Sequence, residues 1–298
     1  MSLRAELVRL GLRCFVKRAS GADTTVAVMR QRIETLGRLV PLPPAGTAVS
    51  RAQLGGVKAV RLASGEARSD RRILYLHGGG YVSGKPALYR DFTWRIAAAT
   101  HGAVFITDHR LAPEHPFPAA LDDAVAAYRG LIADGGDPRR IAVMGESSGG
   151  GLALALLLRL RDEGVALPAA AVALSPWTDL ALTGTSLRQN AKADPMIRSE
   201  EAPRLASYYL AGSDPRAPYA SPLYGDPAGL PPTLIQVGSD EVLLDDSVRM
   251  AERMRAAGCR VELEIWPRMP HAWHVWARMM PEARAAIERI GAFVRSAM

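Results

Sequence analysis

The sequence predicts an α/β fold built on a mostly parallel sheet. Short apolar runs at 57–62, 72–77, 103–108, 141–144, 170–175, 233–238 and 261–266 read as strands. Helical patterns lie between or after most of them, at 86–100, 118–133, 149–163, 243–257 and 281–297. Strands that alternate with such helices need crossover connections, which place the strands parallel and cover both sheet faces. The chain has no internal repeat and no long flexible linker, so residues 1–298 are expected to form a single domain.

The elements follow in order. Residues 1–40 read as helical: Leu3, Leu7 and Leu10, then Val26, Met29, Ile33 and Leu36, recur at helical spacing. The segment PLPPAG at 41–46 ends that region. The strand and helix repeat then runs to about residue 182. The long mixed stretch 183–218 breaks the rhythm and is expected to sit above the sheet as an insertion. The run at 261–266 reads as a sheet edge, with Glu262 and Glu264 on one face; it either pairs with a second copy or stays solvated by those charges.

Composition bounds the function classes. Of 298 residues, 48% are apolar and 22% charged, a globular balance. No run of 18 apolar residues occurs, so no spanning helix is expected. The first twenty residues lack the apolar run and cleavage site of a secretory signal, which makes the cytoplasm the expected location. The net charge of +7 is spread along the chain without a basic block, which argues against nucleic-acid binding. Cys14 and Cys259 fit no disulfide or metal spacing and are read as free thiols. Arg4, Arg9, Arg13, Lys17 and Arg18 make the N-terminal helical region basic and amphipathic. Such a helix serves either at a membrane surface or as a cap over an apolar pocket, and the cap is preferred.

The motif GESSG at 145–149 follows a strand and opens a strongly helical run. G-x-S-x-G in that setting is a nucleophile elbow: the middle serine, Ser147, stands at the tip of a sharp turn, and the glycines allow close backbone approach. Ser148 starts the helix, and its N–H would face a developing oxyanion. The plain alternative is a glycine-rich turn whose serines cap the helix. A phosphate cradle fits less well, because the stretch matches neither the Walker nor the dinucleotide pattern. Earlier, HGGG at 77–80 follows another strand. Its bare amides suit an oxyanion hole, with Gly79 and Gly80 as the donors and His77 as a structural residue holding the loop.

A triad needs an acid and then a base after the serine in chain order. Asp240 lies just past the strand 233–238 and is the expected acid; Glu241, Asp245 and Asp246 are read as capping or surface charges. His271 and His274 follow the strand 261–266, and His271, nearer the strand end, is the expected base. No histidine pair has metal-binding spacing, and neither a metal nor another cofactor is expected. The proline-rich block 111–123 reads as an architectural path, with Arg110 and Glu114 able to pair. Trp177, Tyr208, Tyr209, Leu210 and Trp273 are candidate pocket walls, although each taken alone reads first as core packing.

The stretches HGGG at 77–80, DHRLAPEHPFPA at 108–119 and GESSGG at 145–150, with weaker matches at 175–179, 240–246 and 269–273, resemble the hormone-sensitive-lipase-like branch of the α/β-hydrolases, the bacterial carboxylesterases. The resemblance runs from about residue 50 to 298. It implies an α/β-hydrolase fold, with an eight-stranded, mostly parallel sheet and a helical cap built from about 1–45 and 183–218. It also implies a triad of Ser147, Asp240 and His271, an oxyanion hole of Gly79, Gly80 and Ser148, and Glu146 as a buried support for the active-site loops. A small-molecule ester is then the substrate, of short to medium acyl chain, and a homodimer the assembly. The chain departs from the family pattern at Ser148, at His109, at Ala272 and Trp273, where glycine and phenylalanine are usual, and within 242–246. Trp273 is expected to narrow that side of the site. A lactone or amide hydrolase using the same triad is the alternative activity; a catalytically inactive binding protein is the alternative of another class.

Overall fold

A computed structural model of the chain describes residues 1–18, 21, 24–65, 67–68 and 70–298. The junctions at 19–20 and 22–23, which the helical reading of 1–40 ran through, lie outside the described residues. The N-terminal region forms α1 (Leu3–Gly11), a π-helical turn over Leu12–Lys17, and α2 (Val26–Leu39). Ser2 and Thr25 cap the two α-helices, accepting hydrogen bonds from the N–H groups of Ala5 and Val28.

The sheet then begins with β1 (Ala48–Leu54) and β2 (Val57–Ala63), an antiparallel hairpin. Next come β3 (Arg72–Leu76), α3 (Pro86–Thr100), β4 (Ala103–Thr107), α4 (Ala119–Ala133), β5 (Ile141–Glu146), α5 (Ser148–Asp162) and β6 (Ala170–Leu174). The insertion contributes α6 (Ser186–Gln189) and α7 (Ala202–Leu210). The chain closes with β7 (Thr233–Gly238), α8 (Leu244–Ala256), β8 (Val261–Trp266) and α9 (Pro281–Ala297). Among the described residues these strands make one eight-stranded sheet, ordered β1-β2-β4-β3-β5-β6-β7-β8. Pairing is antiparallel at β1–β2 and β2–β4 and parallel from β4 to β8. The seven expected strands are present; β1 is the added one. Its sequence, AVSRAQL, is mostly exposed and carries no apolar run to mark it, as suits an edge strand.

The pleat sorts the core. Ile73 and Tyr75 of β3 join α1, α3 and α9 on one face of the sheet, while Leu74 and Leu76 join α4 and α5 on the other. The register places the site. Leu76 pairs with Gly145, Glu146 with Leu174, Leu174 with Gln236, and Gly238 with Trp266. The segments that start at 77, 147, 175, 239 and 267 therefore leave the sheet along one edge, at the carboxyl ends where parallel sheets collect ligands.

The N-terminal segment and the insertion meet over that edge. Arg204 of α7 donates to the Thr24 carbonyl at 2.7 Å. Lys17 donates to the carbonyls of Ala191 and Asp194, at 2.6 Å each. Arg110 pairs with Asp123 at 2.7 Å, while Glu114 takes Arg30 of α2 at 2.6 Å. The expected Arg110–Glu114 pair is thus replaced: Arg110 is claimed by the first turns of α4, which frees Glu114 to anchor the N-terminal segment. No helix among the described residues is long and apolar enough to cross a membrane.

Candidate active site

Ser147 stands between β5 and α5 with φ 56° and ψ −126°. This region is strained for a side chain with a Cβ and costs on the order of 1–3 kcal/mol, so the surroundings must hold it. Backbone contacts as tight as the local glycines permit hold it here. A Cβ on Gly145 would lie 2.1 Å from the Gly149 carbonyl oxygen, and one on Gly149 would lie 2.1 Å from that of Leu76. Both glycines of the motif are therefore fixed by close approach of chain to chain. Ser147 also accepts the N–H of Trp177 on its carbonyl at 2.9 Å, tying the turn to the segment after β6.

The HGGG loop packs against the elbow. Gly79 and Gly80 have φ of 120° and 63°, left-handed conformations that suit glycine. Among the described residues no acceptor takes the N–H of either, while the Gly79 carbonyl accepts the N–H groups of Val82 and Ser83. Ser148 is buried, and its hydroxyl accepts the Tyr81 N–H at 3.2 Å. The hydroxyl that departs from the family pattern therefore joins the elbow to the glycine loop. His77 is buried in a stack, its ring centroid 4.2 Å from that of His109 and 5.7 Å from that of Tyr89, with Nδ1 2.9 Å from the Gly78 carbonyl oxygen. Burial holds His77 below its ordinary pKa and His109 well below, which keeps the stacked pair neutral.

Glu146 lies beneath this loop. Its Oε2 accepts the Tyr75 hydroxyl at 2.8 Å and the Gly78 N–H at 2.7 Å, and Tyr89 bonds the same carboxyl. Burial raises its pKa to about 7 against the opposing pull of those donors. A Cβ on Gly78 would come within 2.4 Å of Glu146 Oε1, so the first glycine of the loop makes room for this carboxyl.

His271 and its carboxylate partner differ from the sequence reading at one position. His271 is buried, and its Nδ1 lies 2.8 Å from Oε2 of Glu241, not of Asp240. Asp240 turns the other way: its Oδ2 accepts Arg9 of α1 at 2.7 Å. Successive residues in the turn after β7 point to opposite sides, so the first carboxylate past the strand faces the N-terminal helix and the second faces the histidine. Glu241 is fully buried; its Oε1 accepts the Ser175 hydroxyl at 2.8 Å and also takes the Gly238 N–H. Burial alone would lower the pKa of His271, but the hydrogen bond and charge of Glu241 outweigh it and hold the ring above its ordinary 6.5. With Nδ1 committed to the carboxylate, Nε2 is the nitrogen left for proton transfer.

Sequence reasoning also missed what steadies this loop. Ser175, at φ 45° after β6, donates to Glu241 and accepts the Ala272 N–H at 3.2 Å, linking the segments after β7 and β8. From the insertion, Asn190 donates to the carbonyls of Ser239 and Glu241, and Asp194 accepts the Val242 N–H. From α1, Arg9 bonds both Asp240 and the Arg268 carbonyl. The SPWTD and DEVLLDD matches were the available signals, but neither assigns partners. Asp246, read as a capping or surface charge, is wholly buried and accepts the N–H groups of Thr178 and Asp179. Asp245 accepts Thr185 and Ser186 instead of lying free in solvent. His274 is buried away from the loop tip, with Nε2 2.8 Å from Gln236 Oε1, and burial lowers its pKa to about 3. Trp273 is fully buried among Trp266, His274 and the α9 side of the core, so it is a core residue and not a pocket wall. Tyr209 of α7 does reach the glycine loop, stacking on Tyr81 with ring centroids 3.7 Å apart.

Comparison with known proteins agrees with the fold. Residues 73–275 match the model of a family with the alpha/beta hydrolase fold. An acetyl-hydrolase of Streptomyces hygroscopicus is 49% identical over 232 residues, 78% of each chain. An esterase of Acinetobacter venetianus is 34% identical, covering 96% of this chain and 94% of its own. A crystal structure of an esterase from the bacterial hormone-sensitive lipase family superposes with a TM-score of 0.94 at 45% identity, over 99% of this chain and 98% of that one. The chain belongs to the α/β-hydrolase fold family, within its bacterial hormone-sensitive-lipase-like branch of esterases.

Proposed function

We propose that the protein is a serine carboxylesterase acting on small-molecule esters of short to medium acyl chain, with Ser147 as nucleophile, His271 as base and Glu241 as the acid that orients it. The observation that carries this reading is the buried 2.8 Å contact between His271 Nδ1 and Glu241 Oε2, on the same sheet edge as a serine held in a strained elbow.

The mechanism follows from those groups. A hydroxyl is a weak nucleophile until an imidazole takes its proton. Glu241 fixes the tautomer with the proton on Nδ1 and stabilises the imidazolium formed when Nε2 accepts the Ser147 proton. Ser147 Oγ adds to the ester carbonyl carbon. The oxyanion is received by the N–H groups of Gly79, Gly80 and Ser148. His271 returns the proton to the leaving alkoxide, the alcohol departs, and the acyl group remains on Ser147. Water then attacks, giving its proton to His271, and the second intermediate collapses, the imidazolium returning that proton to Ser147 Oγ as the acid leaves. Glu146 and His77 act from behind, holding Gly78 and hence the amides that follow it.

In the same reading, inward-facing side chains of the N-terminal segment and of 183–218 form a cap over the site, and both segments grip the acid-bearing loop. The β8 edge is taken as the seat of a homodimer and the cytoplasm as the location. The test is hydrolysis of p-nitrophenyl esters from acetate to dodecanoate by wild type and Ser147→Ala. Cleavage of the butyrate to octanoate range, abolished in the variant, supports the esterase reading, and the chain-length profile sizes the acyl pocket. Cleavage of lactones or amides but of no simple ester would move the activity to the alternative class. A folded protein that cleaves none of these would sink the enzymatic reading.

A further inference from the structure

The outer face of the N-terminal helix has no partner among the described residues. Leu3, Leu7 and Leu10, spaced for one helical face, are 85%, 68% and 59% exposed, while Ala5, Val8 and Leu12 on the other face are buried. The row does not stop at the end of α1. A π turn over Leu12–Lys17 replaces the α-helical step. Its wider i→i+5 turn advances each residue through a smaller angle, so Phe15 continues the outer row and is 78% exposed. Leu7 and Phe15 also line one side of an open groove of about 570 Å³, with Trp276 and Met279 on the other. Isolated exposed apolar residues need no explanation, but a contiguous patch on a soluble surface does.

The charges around the patch select its occupant. Arg4 and Arg278 line the groove and are exposed, and neither has a carboxylate partner among the described residues. The nearby acids already have partners: Glu6 lies 2.9 Å from Arg268, and Glu282 accepts the N–H and hydroxyl of Ser2. The surface offered is thus apolar and cationic. A second copy of the chain meeting this face across a two-fold axis would set like arginines against each other. An anionic bilayer satisfies both features, because side chains such as Leu and Phe enter the acyl boundary while arginines meet the headgroup phosphates.

We propose that the outer face of α1 and the π turn, with Arg4 and Arg278, docks the protein on anionic phospholipid membranes. The inner face of the same helix holds Asp240 and Arg268 through Arg9, so the docked surface lies on the opposite side of α1 from the acid and base loops. Docking does not depend on the catalytic assignment, and its readout is binding alone.

The experiment is co-sedimentation of the full chain with extruded phosphatidylcholine vesicles, with and without phosphatidylglycerol, at low and high salt. Binding is expected to the phosphatidylglycerol vesicles and to weaken with salt as the charges are screened. Leu7→Ser with Phe15→Ser should lower the partition coefficient at least about tenfold. Arg4→Ala and Arg278→Ala should each lower it about fivefold. All these side chains face solvent, so each variant should keep its circular dichroism spectrum. Absence of wild-type binding, equal binding to both vesicle types, or binding unchanged in the Leu7/Phe15 variant would overturn the proposal. So would a wild-type oligomer in sedimentation velocity that this variant dissolves, which would assign the face to a second copy.

Discussion

Replacing Glu241 and Asp240 one at a time separates two neighbouring carboxylates, of which the sequence reading made Asp240 the acid and Glu241 a capping or surface charge. In Glu241→Gln the side chain keeps its size but loses the charge 2.8 Å from His271 Nδ1, in a site where both side chains are almost wholly buried. At that separation, with an effective dielectric of about 20, the attraction between carboxylate and imidazolium is about 6 kcal/mol. At about 1.4 kcal/mol per decade, that corresponds to roughly four decades in kcat. Loss of the correct histidine tautomer produces a fall of about the same size in triad hydrolases. The amide should also take away the charge that holds His271 above 6.5, so the acid limb of the kcat/KM profile should move to lower pH. Asp240→Asn should do neither. It weakens the pair with Arg9, in which the Asp240 side chain is 19% exposed, and should cost about 1–2 kcal/mol of stability while kcat stays within about tenfold. The assay is p-nitrophenyl butyrate hydrolysis across pH, with urea unfolding alongside. A four-decade loss in Asp240→Asn together with a near-normal Glu241→Gln would refute the assignment and restore the acid expected from the sequence.

Two further predictions concern stability. Burial and the charge of Asp179 raise the pKa of Asp246 to about 7, so the native state holds a proton that the unfolded chain releases near its ordinary 3.8. The native state then binds more protons across that window, and stability should fall as pH climbs from about 4 to 7 and level off above. Glu146, also raised to about 7, adds to the same slope. Asp246→Asn should therefore flatten the decline without removing it, measured as urea midpoints across that range; an unchanged slope would show that Asp246 is ionised throughout. Ala272 sits at φ 50°, in the left-handed region where the family pattern has glycine. Ala272→Gly should raise stability by about 1 kcal/mol in thermal melts and leave kcat within about twofold, and a loss of stability would mean that the Ala272 methyl packs more favourably than its backbone is strained.

How far the site could be read from the sequence depended on whether a residue's role is set by its own element or by a distant one. The strands and helices announce themselves by period and by turn residues, and their ends were expected to within a residue or two. The exception is β1, whose polar, exposed AVSRAQL carries no periodicity and becomes a strand only by pairing with β2. Ser147 and the glycine loop were legible because the constraint is local: a sharp strand-to-helix turn needs small residues at fixed offsets. The fates of Asp240, Glu241 and Asp246 were not. All three stand within seven residues of each other, and what separates them is which distant group each one meets: Arg9, 231 positions away, His271, 30 positions away, and the backbone of Thr178, 68 positions away.

The displaced aspartate carries a further consequence for how this site is held. On the proposed assignment the acid is the second carboxylate after β7 and not the first. The loop from 239 to 245 has two sides in use. Glu241 faces inward to His271 and Ser175, and Asp240 faces outward to Arg9. Asn190 and Asp194 hold the same loop from the insertion, through the carbonyls of Ser239 and Glu241 and the N–H of Val242. Arg9 also takes the carbonyl of Arg268, three residues before His271, so one guanidinium spans the loops that carry Glu241 and His271. In the proposed mechanism the N-terminal helix and the insertion thereby contribute to catalytic geometry through largely shielded polar contacts. Those contacts stabilise the loops only while both segments are seated, so a substitution that loosens α1 should lower kcat as well as change substrate entry.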